Sequence, residues 1–255
     1  QIYAVGITPA KLDAVAALNA EGGDVKVITD DADVAAAIAA HPGPLRALVE
    51  VDCGEGRGGV TPDSNLLTAI GGRLGARCAG VMTHAGHSYA ERSIEGVAAV
   101  AETEHRGAVL AAERLRAMGA TVEVVSLGSS PTALYGKDMA GITDIRAGVY
   151  MFGDLFQGQI GTHGMGDIAV TVLAAVTGRK PDRNAVLVDA GAIALSKDRS
   201  TEKAPKDYGF GLMLDSDGTP GFGDAIVARV HQEHGEVLGD GPLPFDRLPI
   251  GALVR

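Results

Sequence analysis

An α/β domain on parallel strands, followed by a smaller, mainly β domain, is the fold class this sequence predicts. Three observations lead there. Short apolar runs of strand length alternate with stretches of helical periodicity from residue 2 to about residue 165. Polar and glycine-rich clusters come just after the strand-like runs, at 52–57, 84–89, 128–132 and 148–154. From about residue 166 the helical stretches give way to short strand-like runs separated by Gly, Pro and Asp turns.

Taken in order, residues 2–5, 25–28, 47–51, 78–82, 122–126 and 146–152 read as strands by length and β-branched content. Residues 9–20, 32–40, 64–74 and 92–118 carry apolar side chains at helical spacing. Thr8-Pro9 is a helix start, a capping hydroxyl followed by Pro at the first helical position, and Gly119 is the matching stop. Strands alternating with helices imply parallel pairing through right-handed crossovers. Six strand signals suit an open doubly wound sheet, whereas a closed barrel needs eight, and both place their site at the strand ends. The residues alone leave that choice open. The domain boundary falls near residue 165, giving domains 1–165 and 166–255.

Composition narrows the function. The chain has 255 residues, 46% of them apolar and 21% charged, with a net charge of −10 and no basic run. That excludes a nucleic-acid partner. Cys53 and Cys78 form no disulfide framework and lack metal-ligand spacing; buried reduced thiols are expected. No apolar stretch reaches membrane-spanning length and the start has no leader pattern, so a cytoplasmic protein without a membrane partner is expected. The opening, QIYAVGITPAKL, lacks a Met and begins directly on a strand, which suggests an incomplete chain.

Four segments carry chemistry. In VDCGEGRGGV, glycines after a strand let the backbone approach a ligand, and Arg57 supplies a forked cation suited to a carboxylate, phenolate or phosphate. A solvated loop arginine is the alternative. GVMTHAGHSYA sets His84 and His87 past another strand end, where they are cofactor-edge hydrogen-bonding groups or ordinary loop residues. VVSLGSSPTA gathers Ser129, Ser130 and Thr132 at the head of a helical turn, a pattern that makes an anion site. TDIRAGVYMFGD adds Arg146, Gly148 and Val149, with backbone N–H groups available to a phosphate.

In this order, and with VDAGAIALSKDRS following, these segments resemble the D-serine dehydratase and D-threonine aldolase family. That family belongs to the alanine-racemase-like, fold-type III pyridoxal-phosphate enzymes. HAGHSY, GSSPT and DAGAIALSKD are the most specific parts, and the first two are closer to the dehydratase branch. The resemblance implies a (β/α)8-type barrel followed by a β domain, with the six strands corresponding to the third through eighth of that barrel. It implies that Arg57 lies near the cofactor's phenolate oxygen and the substrate carboxylate, and that His84 lies beneath the ring; these are the catalytic candidates. Ser129, Ser130 and Thr132 fall in the phosphate-side loop. Gly148 and Val149, with Tyr150 beside them, offer backbone N–H groups to the phosphate. Arg146 faces the pyridine nitrogen.

Two parts of the family pattern have no counterpart in this sequence. The Schiff-base lysine lies on the first barrel strand, which the chain does not contain. Lys11, the only early lysine, reads as a solvated helix residue. The divalent metal, zinc or manganese, is implied to bind a His and a nearby Cys or Asp beyond Arg255, so the chain itself has no metal ligands and by itself should be inactive. The implied function is a pyridoxal 5'-phosphate-dependent lyase acting on a small D-β-hydroxy amino acid, by dehydration with ammonia release or by retro-aldol cleavage. The expected assembly is a homodimer. An amino-acid racemase, a non-catalytic pyridoxal-phosphate carrier and an inactive fragment are the alternatives.

Overall fold

Six short strands set the frame of the first unit: β1 (Ile2–Gly6), β2 (Lys26–Thr29), β3 (Arg46–Val51), β4 (Cys78–Thr83), β5 (Val124–Leu127) and β6 (Asp144–Ile145). They pair in the order of the chain, and every pair is parallel. Consecutive parallel order means that each crossover steps the same way, and right-handedness then puts the helices on one face. A doubly wound sheet instead needs a point where the order reverses. None occurs in this sheet, so it is the barrel type, curled around an inner face. The computed structural model describes residues 1–255, which divide into two compact units, Gln1–Gly148 and Val149–Arg255.

The helices are α1 (Leu12–Ala20), α2 (Ala32–Ala40), α3 (Asn65–Leu74), α4 (Ile94–Ala117) and α5 (Ser130–Tyr135). At α2, α3, α4 and α5, N-cap side chains satisfy amides that the first turn leaves without partners. Asp31 accepts from Asp33 and Val34, Ser64 from Leu66, and Ser93 from Gly96. Strand residues alternate between two faces. Val27, Val49, Val81 and Val125 pack with Ile38, Ile70 and Leu115 from the helices, whereas Ile28, Leu48, Ala79 and Met82 form the inner cluster.

Helix α4 seats closely because its inward face is built largely from small residues, among them Ala101, Ala108, Ala111 and Ala112. A Cβ at Gly107 would stand 2.5 Å from the Cys53 sulfur. In β4 the register slips at Ala79, so that Ala47 faces Cys78 but Leu48 faces Gly80. Gly80 takes φ +142° there, and a Cβ would run into the Val124 carbonyl oxygen. Only glycine fits this bulge.

Toward the C-terminal ends of the strands the inner face turns polar. Glu50, Met82, Ser126 and Asp144 pair in one row across β3 to β6. A cavity of about 480 Å³ runs along this face from Ile2, Lys26 and Val124 to Asp144 and Arg146. Of the row, Asp144 lines this cavity, while Met82 and Ser126 are buried.

The 146–152 run departs from its expected strand. Pairing stops after Ile145, and Val149–Met151 forms a 3-10 turn. Gly153, at φ +65°, then turns the backbone where a β-branched residue could not. The second unit begins at that turn. After α6 (Leu155–Gln159) it forms an antiparallel sheet of β7 (Ala174–Lys180), β8 (Ala185–Val188), β9 (Ile226–Val230), β10 (Gly235–Leu238) and β11 (Leu253–Val254), with α7 (Ala192–Leu195) after β8. The sheet order is β11-β7-β8-β10-β9, around a core that includes Val176, Val186, Val188, Met213 and Leu248. The buried Glu236 carboxylate lies between Arg183 and Arg229. No helix of the chain is long and apolar enough to cross a membrane.

Burial, and after it the Asp30 charge, hold the Glu50 carboxyl above the ordinary glutamate value of 4.5. Arg57 and Arg146 pull the other way, and Glu55 adds to the rise. The folded state thus binds this proton more tightly than the unfolded chain does. The stabilisation is fully present below the ordinary value and is lost as pH rises through the folded value. Urea unfolding from pH 4.5 toward neutrality should show this loss. Glu50→Gln should flatten that part of the stability curve and leave the protein more stable at neutral pH.

Candidate active site

The glycine-rich loop after β3 is held by acids, and that hold lifts its arginine to the rim. The Asp52 carboxylate accepts from the Gly54 and Gly56 amides at 2.8 and 3.2 Å. The Asp30 carboxylate accepts from Gly59 N–H at 2.8 Å. Val60 returns alongside Val51, donating to the Glu50 carbonyl and accepting from Asp52 N–H. Gly54, Gly56 and Gly59 all have positive φ, a backbone path that the glycines make possible. Arg57 stands at the tip, 62% exposed, and pairs with Glu55 at 3.1 Å.

The loops after β4 and β5 interlock. His84 Nδ1 lies 2.9 Å from the Gly128 carbonyl oxygen. A carbonyl only accepts, so Nδ1 carries the proton and Nε2 of the neutral ring is an acceptor. Ser88 and Ser129 hydroxyls meet at 2.9 Å, and Ser130 N–H donates to the Tyr89 hydroxyl at 3.4 Å. The His84 and Tyr89 rings are 6.5 Å apart and tilted.

Helix α5 then begins with a reciprocal cap. Ser129 N–H donates to the Thr132 hydroxyl at 3.0 Å, and Thr132 N–H donates to the Ser129 hydroxyl at 3.3 Å. The cap occupies two of the three hydroxyls. The third, Ser130 Oγ, is buried and has no partner. A buried hydroxyl left unpaired costs about 1–3 kcal/mol, so this position favours an acceptor brought from outside the chain. His87 Nδ1 is likewise buried without a partner, beside Gly54.

Arg146 crosses the inner face beneath these loops. Its Nε donates to Ser126 Oγ at 2.9 Å, and its terminal nitrogen donates to the Thr83 carbonyl oxygen. Ser126 donates in turn to the Asp144 carboxylate at 2.5 Å. Burial lowers the Arg146 pKa, while Glu104, Asp144 and Glu50 oppose that shift. Gly148 closes the first unit; Val149 and Tyr150 open the second, with Tyr150 71% exposed.

The first unit thus brings His84, Ser129, Ser130 and Thr132 into one bonded assembly with Arg146 below it, and puts Arg57 on the neighbouring loop. Lys11 sits on the Pro9–Lys11 turn, with its ammonium bonded to the Tyr3 hydroxyl at 2.8 Å. No group of three His, Cys, Asp or Glu side chains gathers to hold a metal. One member of the assembly was not singled out in the sequence. Glu104, on α4, accepts from the amides of Ala85 and Gly128. Its signal is a glutamate at an inward position of the helical period, in step with Val97, Ala101 and Ala108.

Comparison with known proteins agrees with this architecture. Residues 2–155 match the alanine racemase N-terminal domain, and residues 169–255 match a putative serine dehydratase domain. The chain is 41% identical over 268 residues to a D-threo-3-hydroxyaspartate dehydratase from Delftia sp. (strain HT23), covering 100% of this chain and 70% of that protein. A C-to-A mutant of a D-threo-3-hydroxyaspartate dehydratase, solved in a metal-free form, superposes with a TM-score of 0.94 at 39% identity, over 100% of this chain and 70% of that one. The D-serine dehydratase of Schizosaccharomyces pombe is 31% identical over 217 residues, 78% of this chain and 50% of that protein. An alanine-racemase-like protein from Idiomarina loihiensis has a TM-score of 0.94 at 34% identity, over 100% of this chain and 69% of that one. A parallel sheet in chain order, a bonded mouth between β4 and β5, an antiparallel second unit and these matches lead to one conclusion: the chain belongs to the alanine-racemase-like family of D-serine dehydratases.

Proposed function

We propose that this chain serves a pyridoxal-phosphate-dependent lyase that dehydrates a D-β-hydroxy amino acid and releases ammonia. The observation that carries the reading is the interlocked mouth, which leaves one buried hydroxyl, Ser130 Oγ, and one acceptor nitrogen, His84 Nε2, to a ligand. The names of the two dehydratase relatives support dehydration over racemisation.

The residues present fit the phosphate and ring sides of the cofactor. Ser130 Oγ lacks only an acceptor, and it stands at the first position of α5, beside the capped Ser129 and Thr132 hydroxyls. At Gly128, φ +129° brings the backbone close without a side chain in the way. The backbone N–H of Gly148, the last residue of the first unit, adds a further donor in this reading. No lysine lies in 52–59, 84–90 or 128–132, so no residue of these loops is assigned as covalent anchor.

Bound pyridoxal phosphate supplies the electron sink that lets a bond at the substrate Cα break. Arg57 neutralises its phenolate oxygen or the substrate carboxylate through a forked, permanent cation. His84, with its tautomer fixed by Gly128, would offer Nε2 to the bound cofactor. Arg146 would supply a cation toward the pyridine nitrogen and disfavour its protonation. The metal belongs to the proposal as well, prompted by the metal-free form in which the dehydratase mutant was solved. This chain's own residues do not form a metal site, and no step is assigned to one here. We also propose that the β domain proper begins past residue 165, since β7 opens at Ala174. The two free, buried thiols fit the reducing cytoplasm as its compartment.

The enzyme carrying this chain should release ammonia and a 2-oxo acid from D-serine or D-threo-3-hydroxyaspartate, and neither from the L forms. Interconversion of D- and L-alanine without ammonia would establish the racemase instead. Exhaustive chelation should abolish the lyase activity and zinc or manganese should restore it; full activity after chelation would remove the metal from the proposal.

Ser130→Ala separates the ligand role from the fold. Removing an unpaired buried hydroxyl should raise the stability of the cofactor-free protein by on the order of 1 kcal/mol, and should weaken cofactor binding about tenfold or more. Urea unfolding and a cofactor titration read these opposite signs. Arg57→Ala should lower kcat/KM by about 1.5–3 kcal/mol for each charge-assisted bond lost. Unchanged kinetics would return Arg57 to a solvated loop cation.

A further inference from the structure

Helix α4 buries a carboxylate where its own packing asks for a small residue. Glu104 is 1% exposed, and its inward neighbours on the helix include Ala101, Ala108 and Ala111. Taking a carboxylate out of water costs several kcal/mol unless bonds compensate it. Glu104 Oε1 has two, from Ala85 N–H and from Gly128 N–H, each at 3.0 Å. Glu104 Oε2 has no partner. Arg146 faces the carboxylate electrostatically, and the Cys53 thiol donates to the Glu104 backbone carbonyl.

The two amides belong to the residues next to the proposed ligand groups. Ala85 follows His84, and Gly128 precedes Ser129 and Ser130. The Gly128 carbonyl accepts from His84 Nδ1. A closed ring results, running from Glu104 Oε1 through Gly128, His84 and Ala85 back to the same oxygen. We infer that Glu104 is a positioning residue, whose single oxygen fixes the β4 and β5 loops against each other and so sets His84 and Ser130 for the cofactor. The inference rests on the proposed function for the identity of the ligand, but not for the clamp.

Three variants of the full-length enzyme, prepared without cofactor, test this. Glu104→Gln keeps an acceptor oxygen in place and substitutes only the atom that has no partner. Glu104→Asp keeps the charge but draws it back from both amides. Glu104→Ala removes both bonds. Hydrogen exchange at the Ala85 and Gly128 amides should quicken in the Asp and Ala variants and stay near wild type in Gln. The dissociation constant for pyridoxal phosphate should rise about tenfold or more for Asp and Ala, and remain within about threefold for Gln.

If Glu104→Ala does not fold, the Gln and Asp pair carries the comparison. A folded Asp or Ala variant that melts lower but binds the cofactor as tightly as wild type would show a merely structural role and overturn the inference. A Gln variant as weak as Asp would overturn it too, because the charge and not the bonds would then matter. Wild-type protein that binds no pyridoxal phosphate would defeat the proposed function, while the exchange rates would still decide the clamp.

Discussion

The mouth of the first unit depends on the peptide at Gly128. Its φ of +129° and the closeness of the Arg146 carbonyl oxygen, 2.5 Å from any Cβ, restrict the position to glycine. Its N–H is held by Glu104 and its carbonyl by His84. Arg146 N–H bonds the Leu127 carbonyl one residue earlier, so the end of β5, the start of α5 and the guanidinium beneath them are fixed together. A side chain at Gly128 would press on the Arg146 backbone and loosen the bonds that hold His84 and Glu104 to this peptide.

The acids around this mouth act as anchors for backbone amides. Asp30 holds Gly59, Asp52 holds Gly54 and Gly56, Glu104 holds Ala85 and Gly128, and Glu55 holds Arg57. A chain of net charge −10 can thereby present a site suited to an anion. Its carboxylates are turned into the loops, while the Ser130 hydroxyl is left without a partner. Overall charge says little about such a site, because fixed local dipoles decide it.

Much of this was legible in the sequence, and the failures have physical causes. Alternation of strand and helix is a local signal, and it placed five of the six strands of the first unit nearly correctly. Whether those strands curl or wind in two directions depends on their order in space, which periodicity does not contain. The 146–152 run has strand-like residues, but pairing ends at Ile145 and Gly153 turns the chain. Ser129, Ser130 and Thr132 read alike in sequence; only the cap distinguishes the one hydroxyl left over. Glu104 was missed because its partners lie 19 and 24 positions away, on loops that meet only after the sheet forms.

Chain-order pairing also shapes how the first unit assembles. Each strand joins one already near it in sequence, so the sheet can grow one crossover at a time and needs no closure across the whole domain. The steps are not equal. Ser126 pairs with Asp144, 18 positions away, but Gly80 pairs with Val124, 44 positions away. By loop-closure entropy the longer step costs about 0.8 kcal/mol more. Most of its intervening chain is the 24-residue α4, which can form within about a microsecond and close the gap as a rod. The joining of β4 to β5, which brings His84 to Ser130, is therefore the step whose speed depends most on a single helix.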